Sequence, residues 1–385
     1  MAIFLNKMGI NNKISLHQPN PYHPYSIGMC FLLVALFLNL SAFAQSTHKS
    51  NEWLKGLPDS IAICDINLPG SHDAAAINKH HNTPYSCHST TIPEQLESGI
   101  RLLDIRIKVK GHNPNYNFVT CHGNIFGGSL HFNEYQSLKS VLDECSAFLK
   151  NNPSEFIIMM LKIDDWNGKD EAAMHDALDS LLFSATTNYP IYNTTDADLP
   201  ALGSLRGKIY LMNRINLFKE FGVPIEFPNN SADLTPPIET HLIHPQEGEQ
   251  SVVFRKIRAY PIYIQDQYKK LGHHEAQAKF ALVEETIPIK KKGDGEVVLN
   301  YTTARRGFMR LYKVYIQDSV LNYFGSRDIS ARPTNFGWTM LDYESWAYPT
   351  DTYSDLKLIK LIISSNFQYA DYPEKFKVLK GEHKQ

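Results

Sequence analysis

An α/β fold, built as a single closed (β/α) barrel lacking some of its helices, is what the sequence predicts, on three observations. From residue 60 onward short apolar runs alternate with amphipathic stretches, the βα rhythm of one parallel-sheet domain. Several runs are apolar at consecutive positions, as strands covered on both faces are. Neither a Gly/Ser-rich linker nor a repeat interrupts the pattern. The 385 residues exceed an average domain, but single α/β barrels reach this length. An apolar content of 43% with 20% charged residues excludes a disordered, collagenous or polytopic membrane chain. Lys plus Arg number 38 against 40 Asp plus Glu, so no basic excess is at hand to neutralise a polyphosphate backbone and no nucleic-acid partner is expected.

In chain order, the first element predicted is a secretory signal. Only Lys7 and Lys13 carry a lysine, arginine or acidic side chain before Lys49, and Ile27 to Leu38 is apolar except for Gly28. That run is shorter than the roughly 20 residues a membrane span needs, and Ala42 and Ala44 supply the small-x-small pattern of a signal-peptidase site. Residues 1–44 are expected to be cleaved, leaving 45–385 as one exported barrel; an uncleaved anchor is the alternative and would also place the barrel outside the cytoplasm. Cys64, Cys87, Cys121 and Cys145 then remain, and a core of this size is expected to use one disulfide at most.

Strands are predicted at Ile61 to Leu68, Ile100 to Val109, Phe118 to Cys121, Phe156 to Lys162, Lys208 to Asn213, Ile262 to Gln265, Val297 to Tyr301 and Phe336 to Leu341. Between the third and fourth, Phe132, Tyr135, Leu138, Leu142, Cys145 and Leu149 recur every three or four residues before Pro153, the stripe and stop of a buried helix. Weaker helical patterns occupy Lys169 to Phe183, Lys269 to Glu285, Arg310 to Phe324 and Ser354 to Ser364. Asn216 to Tyr260, with its five prolines, reads as a long loop.

Chemistry concentrates at the strand ends. Pro69 and Gly70 break the first run, placing His72 and Asp73 on the turn beyond its carboxyl end, the active-site rim of a barrel. The second run carries Asp104 and Arg106 two residues apart, hence on one face. Burying that pair in an apolar strand is costly unless the charges pair or bind something charged. His122 and Gly123 close the third run. Two imidazoles and a guanidinium suit a phosphodiester: one neutral histidine takes a proton from an attacking hydroxyl, the other donates to the leaving oxygen, and the arginine fork holds the phosphate. Ser71 beside His72 lacks the Gly-x-Ser-x-Gly elbow of a serine hydrolase. Taken singly, each residue has a plain alternative, a surface histidine or a structural salt bridge.

The ordered set Leu-Pro-Gly-Ser-His-Asp, Leu-Asp-Ile-Arg, Cys-His-Gly and Leu-Lys-Asn-Asn-Pro-Ser-Glu-Phe-Ile-Ile-Met resembles the X-type catalytic domain of bacterial phosphatidylinositol-specific phospholipase C, from about Trp53 to Ser365. The resemblance implies an irregular, incompletely closed (β/α)8 TIM-type barrel over 45–385. It also implies a monomer acting on a phospholipid at a membrane surface and giving diacylglycerol and inositol 1,2-cyclic phosphate, with no cofactor. By the same resemblance His72 is the general base oriented by Asp342, His122 the general acid supported by Asp73, and Asp104 and Arg106 the pair that meets the phosphate. Arginine at position 106 is similar to relatives that work without calcium. Lys162, Arg214, Asp266, Tyr268 and Thr303 match head-group contacts less closely. Two other readings stay open on the sequence: a metal-dependent glycerophosphodiesterase or sphingomyelinase D-like lipase, and a non-catalytic lipid- or glycan-binding module.

Overall fold

The central strand has the least strand-like sequence. In the computed structural model, which describes residues 49–77, 87–126, 129–166, 168, 170–186, 188–192, 194, 199–215, 221–225, 240–243, 252–256, 262–266, 275–287, 295–303, 311–342 and 351–370, strand β1 (Leu68–Ser71) runs through Pro69 and Gly70. Pro69 has no N–H to give, and its carbonyl accepts from the Arg101 N–H at 3.0 Å. At Gly70 a Cβ would lie 2.5 Å from Met340 Sδ and 3.1 Å from Leu102, so a larger residue there would force those side chains of the neighbouring strands to shift.

Those neighbours are β2 (Leu102–His112) and β13 (Trp338–Leu341), both parallel to β1. Beyond β2 the parallel sheet continues through β5 (Ile157–Asp165), β7 (Ile209–Asn213) and β6 (Ile191–Tyr192). Beyond β13 it continues through β12 (Val297–Tyr301) and β11 (Ile262–Gln265). Antiparallel β10 (Val252–Lys256) and β9 (Thr240–Ile243) extend that side, and the short β8 (Val223–Pro224) pairs with β7. Among the described residues β6 and β9 end the path without pairing to each other, so the curled sheet is an incompletely closed barrel. All described residues belong to one unit, Thr47–Gln385. Residues 1–44, the expected signal, lie outside them. No helix among the described residues is long and apolar enough to cross a membrane.

Three sequence expectations are corrected. The run Ile61 to Leu68 is not a strand: Ile63–Asp65 forms a 3-10 turn whose Ile63 carbonyl accepts from the Trp338 indole at 3.3 Å, and the strand begins only at Leu68. Consecutive apolar residues here bury against the barrel floor, and periodicity alone does not separate such a run from a strand. Phe118 to Cys121 is not a barrel strand either. It lies within β3 (Asn115–Phe126), which folds back antiparallel on an overlong β2 and pairs in turn with β4 (Ser129–Ser137). Last, the region read as loop contains β8, β9 and β10.

The helices follow their signals more closely. α1 (Ile92–Ser98), which the apolar spacing did not suggest, is set by a capping box: Thr91 Oγ1 accepts from the Glu94 N–H while Glu94 accepts from the Thr91 N–H at 2.7 Å. α2 (Leu138–Asn151) starts at its Ser137 cap, which leaves Phe132 and Tyr135 to β4. α3 (Glu171–Phe183), the single-turn α4 (Leu202–Leu205), α5 (Glu275–Thr286), α6 (Leu311–Gly325) and α7 (Asp351–Ser365) complete the set. Cys64, Cys87, Cys121 and Cys145 are all buried and none is disulfide-bonded, so the single bridge allowed above is not formed.

Candidate active site

His72 and Asp73 follow β1 directly. The His72 N–H donates to the Leu341 carbonyl at 2.9 Å, carrying the β1–β13 ladder one residue further, and Asp73 then turns into the left-handed region at φ +49°. Aspartate tolerates that conformation better than most residues. Adjacent side chains thereby reach different partners. His72 Nδ1 lies 2.8 Å from Oδ1 of Asp342, the first residue past β13, whose side chain is buried. Because the carboxylate only accepts, Nδ1 carries the proton and Nε2 is left basic. Gln317 on α6 donates to the Asp342 carbonyl at 2.6 Å and holds that turn in place.

Asp104 and Arg106 stand on the site face of β2. Arg106 donates to Asp104 Oδ2 through Nε at 3.1 Å and Nη2 at 2.9 Å, lies 3.3 Å from Asp73 Oδ2 through Nη1, and reaches His72 Nε2 at 2.9 Å through Nη2. Burial alone would push the Asp104 carboxyl up, but Arg106 and Arg214 beside it hold it well below the usual carboxylate range. Burial likewise works against the Arg106 charge, and Asp104, Asp73 and Asp164 outweigh it. Both members therefore stay ionised.

His122 reaches the same place from an unexpected direction. It is interior to β3, not at the end of a barrel strand, and the hairpin folding back over β2 sets its Nε2 3.5 Å from Asp73 Oδ2. The six residues His72, Asp73, Asp104, Arg106, His122 and Asp342 thus converge, with Arg106 between the two imidazole–carboxylate pairs.

Of the residues matched to head-group contacts, Arg214 follows β7 and lies 3.6 Å from Asp104 Oδ1. Lys162 on β5, in register with Arg106, pairs with Asp164; burial pushes its ammonium down, and Asp164 opposes that. Asp266, just past β11, is buried and its carboxyl is pushed up, since the loss of solvent outweighs the attraction of Arg214, Lys279 and Arg106. Thr303 is buried just past β12. Tyr268 lies outside the described residues.

Several neighbours escaped the sequence reading. Tyr301 on β12 sets its ring edge-on to His72, 5.8 Å between centroids. His88, fully buried, has Nε2 at 2.6 Å from the His72 carbonyl and 3.1 Å from Ser71 Oγ. A carbonyl only accepts, so that nitrogen is protonated and cannot activate Ser71 as a nucleophile, consistent with the missing elbow motif. Cys87 places its Sγ within 4.8 Å of ligand atoms of both imidazole–carboxylate pairs. Neither Cys87 nor His88 stands in an apolar pattern or a recognisable motif, so no signal in the sequence points to them.

Residues 66–215 match the family described as phosphatidylinositol-specific phospholipase C, X domain. A 1-phosphatidylinositol phosphodiesterase of Listeria monocytogenes is 29% identical over 229 residues, covering 52% of this chain and 66% of that protein. One of Staphylococcus aureus is 25% identical over 354 residues, 87% of this chain and 97% of the relative. Solved structures share the fold: a Staphylococcus aureus phosphatidylinositol-specific phospholipase C at TM-score 0.59 and 21% identity, covering 81% of this chain and 97% of the other, and the Listeria monocytogenes enzyme at TM-score 0.56 and 23% identity, covering 83% and 99%. Over residues 66–215 this chain is therefore similar to the X domain of phosphatidylinositol-specific phospholipase C, the relationship its motifs imply.

Proposed function

We propose that this chain cleaves phosphatidylinositol, with His72 as general base and His122 as general acid. The observation that carries the reading is the paired geometry: each imidazole has its own buried carboxylate, and one guanidinium sits between the pairs. His72 Nε2 takes the proton of the inositol 2-hydroxyl, whose oxygen attacks phosphorus; the bond from phosphorus to the diacylglycerol oxygen breaks, and His122 gives that oxygen its proton. The products are inositol 1,2-cyclic phosphate and diacylglycerol. Attack by a hydroxyl already on the substrate needs no captured water. Arg106 meets the phosphate oxygens as their charge grows, while Arg214, Lys162 and Asp266 border the head group. Arg106 supplies the positive charge that a cation gives in metal-dependent enzymes, so the reaction runs without one.

His72→Ala and His122→Ala are each expected to lower cleavage by about 10²-fold to 10⁴-fold, measured by phosphorus NMR on phosphatidylinositol with folding checked by circular dichroism. A substrate whose leaving group is a nitrophenol, which departs without a proton, rescues His122→Ala and not His72→Ala. Retention of a fifth of normal activity by either folded variant would end the two-histidine assignment. Export with cleavage after Ala44 belongs to the same proposal; mass spectrometry of the exported fraction is expected to find a chain starting at Gln45, and full-length chain held in membranes would contradict it.

A further inference from the structure

Cys87 is a buried thiol that the proposed reaction leaves unused, set among the groups it does use. Its Sγ, one ring nitrogen of His122 and one carboxylate oxygen of Asp73 lie within 4.8 Å of one another, and offer one thiol, one imidazole and one carboxylate. Small shifts bring such a set to the ligand distances of about 2.0–2.3 Å of a four-coordinate zinc-class ion.

We propose that Cys87, His122 and Asp73 form a binding site for a thiophilic divalent cation of the zinc class, and that the bound ion switches the enzyme off. The other imidazole is the poorer ligand. His72 has both ring nitrogens engaged, Nδ1 with Asp342 at 2.8 Å and Nε2 with Arg106 at 2.9 Å. His122 meets Asp73 more loosely, at 3.5 Å, and the buried Asp73 Oδ2 is held only by long ion-pair contacts, to His122 and to Arg106 at 3.3 Å. His122, with 23% of its side chain exposed, gives an incoming ion its way in.

Charge and softness fit the same ion. Thiolate and carboxylate together cancel a double positive charge, so the complex adds no net charge beside Arg106. Binding expels two protons, one from the Cys87 thiol and one from the His122 imidazolium, and the nitrogen so freed ligates the ion, which converts the proton donor into a ligand. A thiolate selects zinc or cadmium over calcium, which wants six or more oxygens. The site is thus distinct from calcium-assisted catalysis, and its occupant inhibits. Metal binding stands apart from the proposed reaction, whereas the inhibition rests on the acid role of His122.

The test titrates the purified protein with Cd²⁺, reading the ultraviolet charge-transfer absorption of cadmium thiolate, and separately measures inhibition by Zn²⁺. One cadmium-thiolate band per chain is expected, together with Zn²⁺ inhibition reversed by a chelator. Cys87→Ser loses the band and resists Zn²⁺, while Cys145→Ser keeps both. Should Cys87→Ser fail to fold, His122→Ala serves in its place, since its Cd²⁺ affinity is read without turnover and is expected to fall at least about tenfold. Absence of the band in the unaltered protein, or its persistence in Cys87→Ser or at full affinity in His122→Ala, overturns the site. A band that depends on Cys87 without any inhibition by Zn²⁺ upholds the site and refutes His122 as the acid.

Discussion

At the residue scale the site is governed by which atom of each group is already committed. Asp342 occupies Nδ1 of His72 at 2.8 Å, so base strength is delivered at Nε2, beside Arg106. Arg106 spends its fork on Asp104, Asp73 and His72, and this geometry, not its charge alone, aims it at a phosphate. Arg106→Lys retains the charge and loses the fork. Its kcat is expected to fall on the order of 10²-fold with little change in KM, because the missing donor matters most when the phosphorane charge develops. A chelator should not lower the rate of the unaltered enzyme. A variant with near-normal kcat, or an enzyme that dies in EDTA and revives with calcium, would refute the metal-free reading.

At the scale of elements, stability and chemistry occupy opposite ends of the same strands. Arg101, just before β2, and Glu155, just before β5, form a fully buried pair at 2.8 Å, and Arg101 also donates to the carbonyls of Leu96, Ile100 and Asn51. The pair ties α1, the N-terminal 3-10 turn (Ser50–Gly56) and two strands at the barrel floor. Glu155→Ala leaves the guanidinium buried without its counter-charge. A loss of about 3–5 kcal/mol is expected in denaturant unfolding, with kcat of the folded fraction unchanged because the site lies at the strands' other ends. Unaltered stability would show that solvent reaches Arg101. Gly337 is a second element-scale constraint: its φ of +61° and the Val298 carbonyl of β12 beside it leave no room for a Cβ just before β13.

At the scale of the whole molecule, the fold keeps an ionisable group buried between a helix and the sheet. Lys279 on α5 is fully buried and donates to Gln265 Oε1 at 2.7 Å, and Gln265 in turn donates to Asn300 at 2.8 Å. Burial pushes the Lys279 ammonium down to about 7, against the pull of Asp266. The unfolded chain therefore binds more protons than the folded one between about pH 7 and the ordinary lysine value near 10.4, so this residue makes stability rise with pH across that window and adds no slope below it. Lys279→Met is expected to remove that rise. Urea midpoints at pH 7, 8 and 9 check it, and parallel pH profiles for the two proteins would show that Lys279 keeps its charge in the fold.

Alternation of apolar runs and cap residues sufficed to determine the α/β class and the longer helices from Leu138 onward, and strand-end motifs pointed to His72, Asp73, Asp104, Arg106 and His122, while Asp342 came only from the family resemblance. Each of the pattern signals is local: a strand face, an N-cap or the Asp-x-Arg spacing of Asp104 and Arg106 is written in a few consecutive residues. Tertiary structure alone decided that Ile61 to Leu68 plugs the floor instead of forming a strand, and that β3 turns back antiparallel on β2. Both outcomes depend on what a segment meets across the barrel, which consecutive residues do not encode. The same holds for Cys87 and His88. Both are buried, Cys87 beside His72 and His122 and His88 beside the His72 carbonyl, and a lone thiol or imidazole carries no sequence pattern that announces its neighbours.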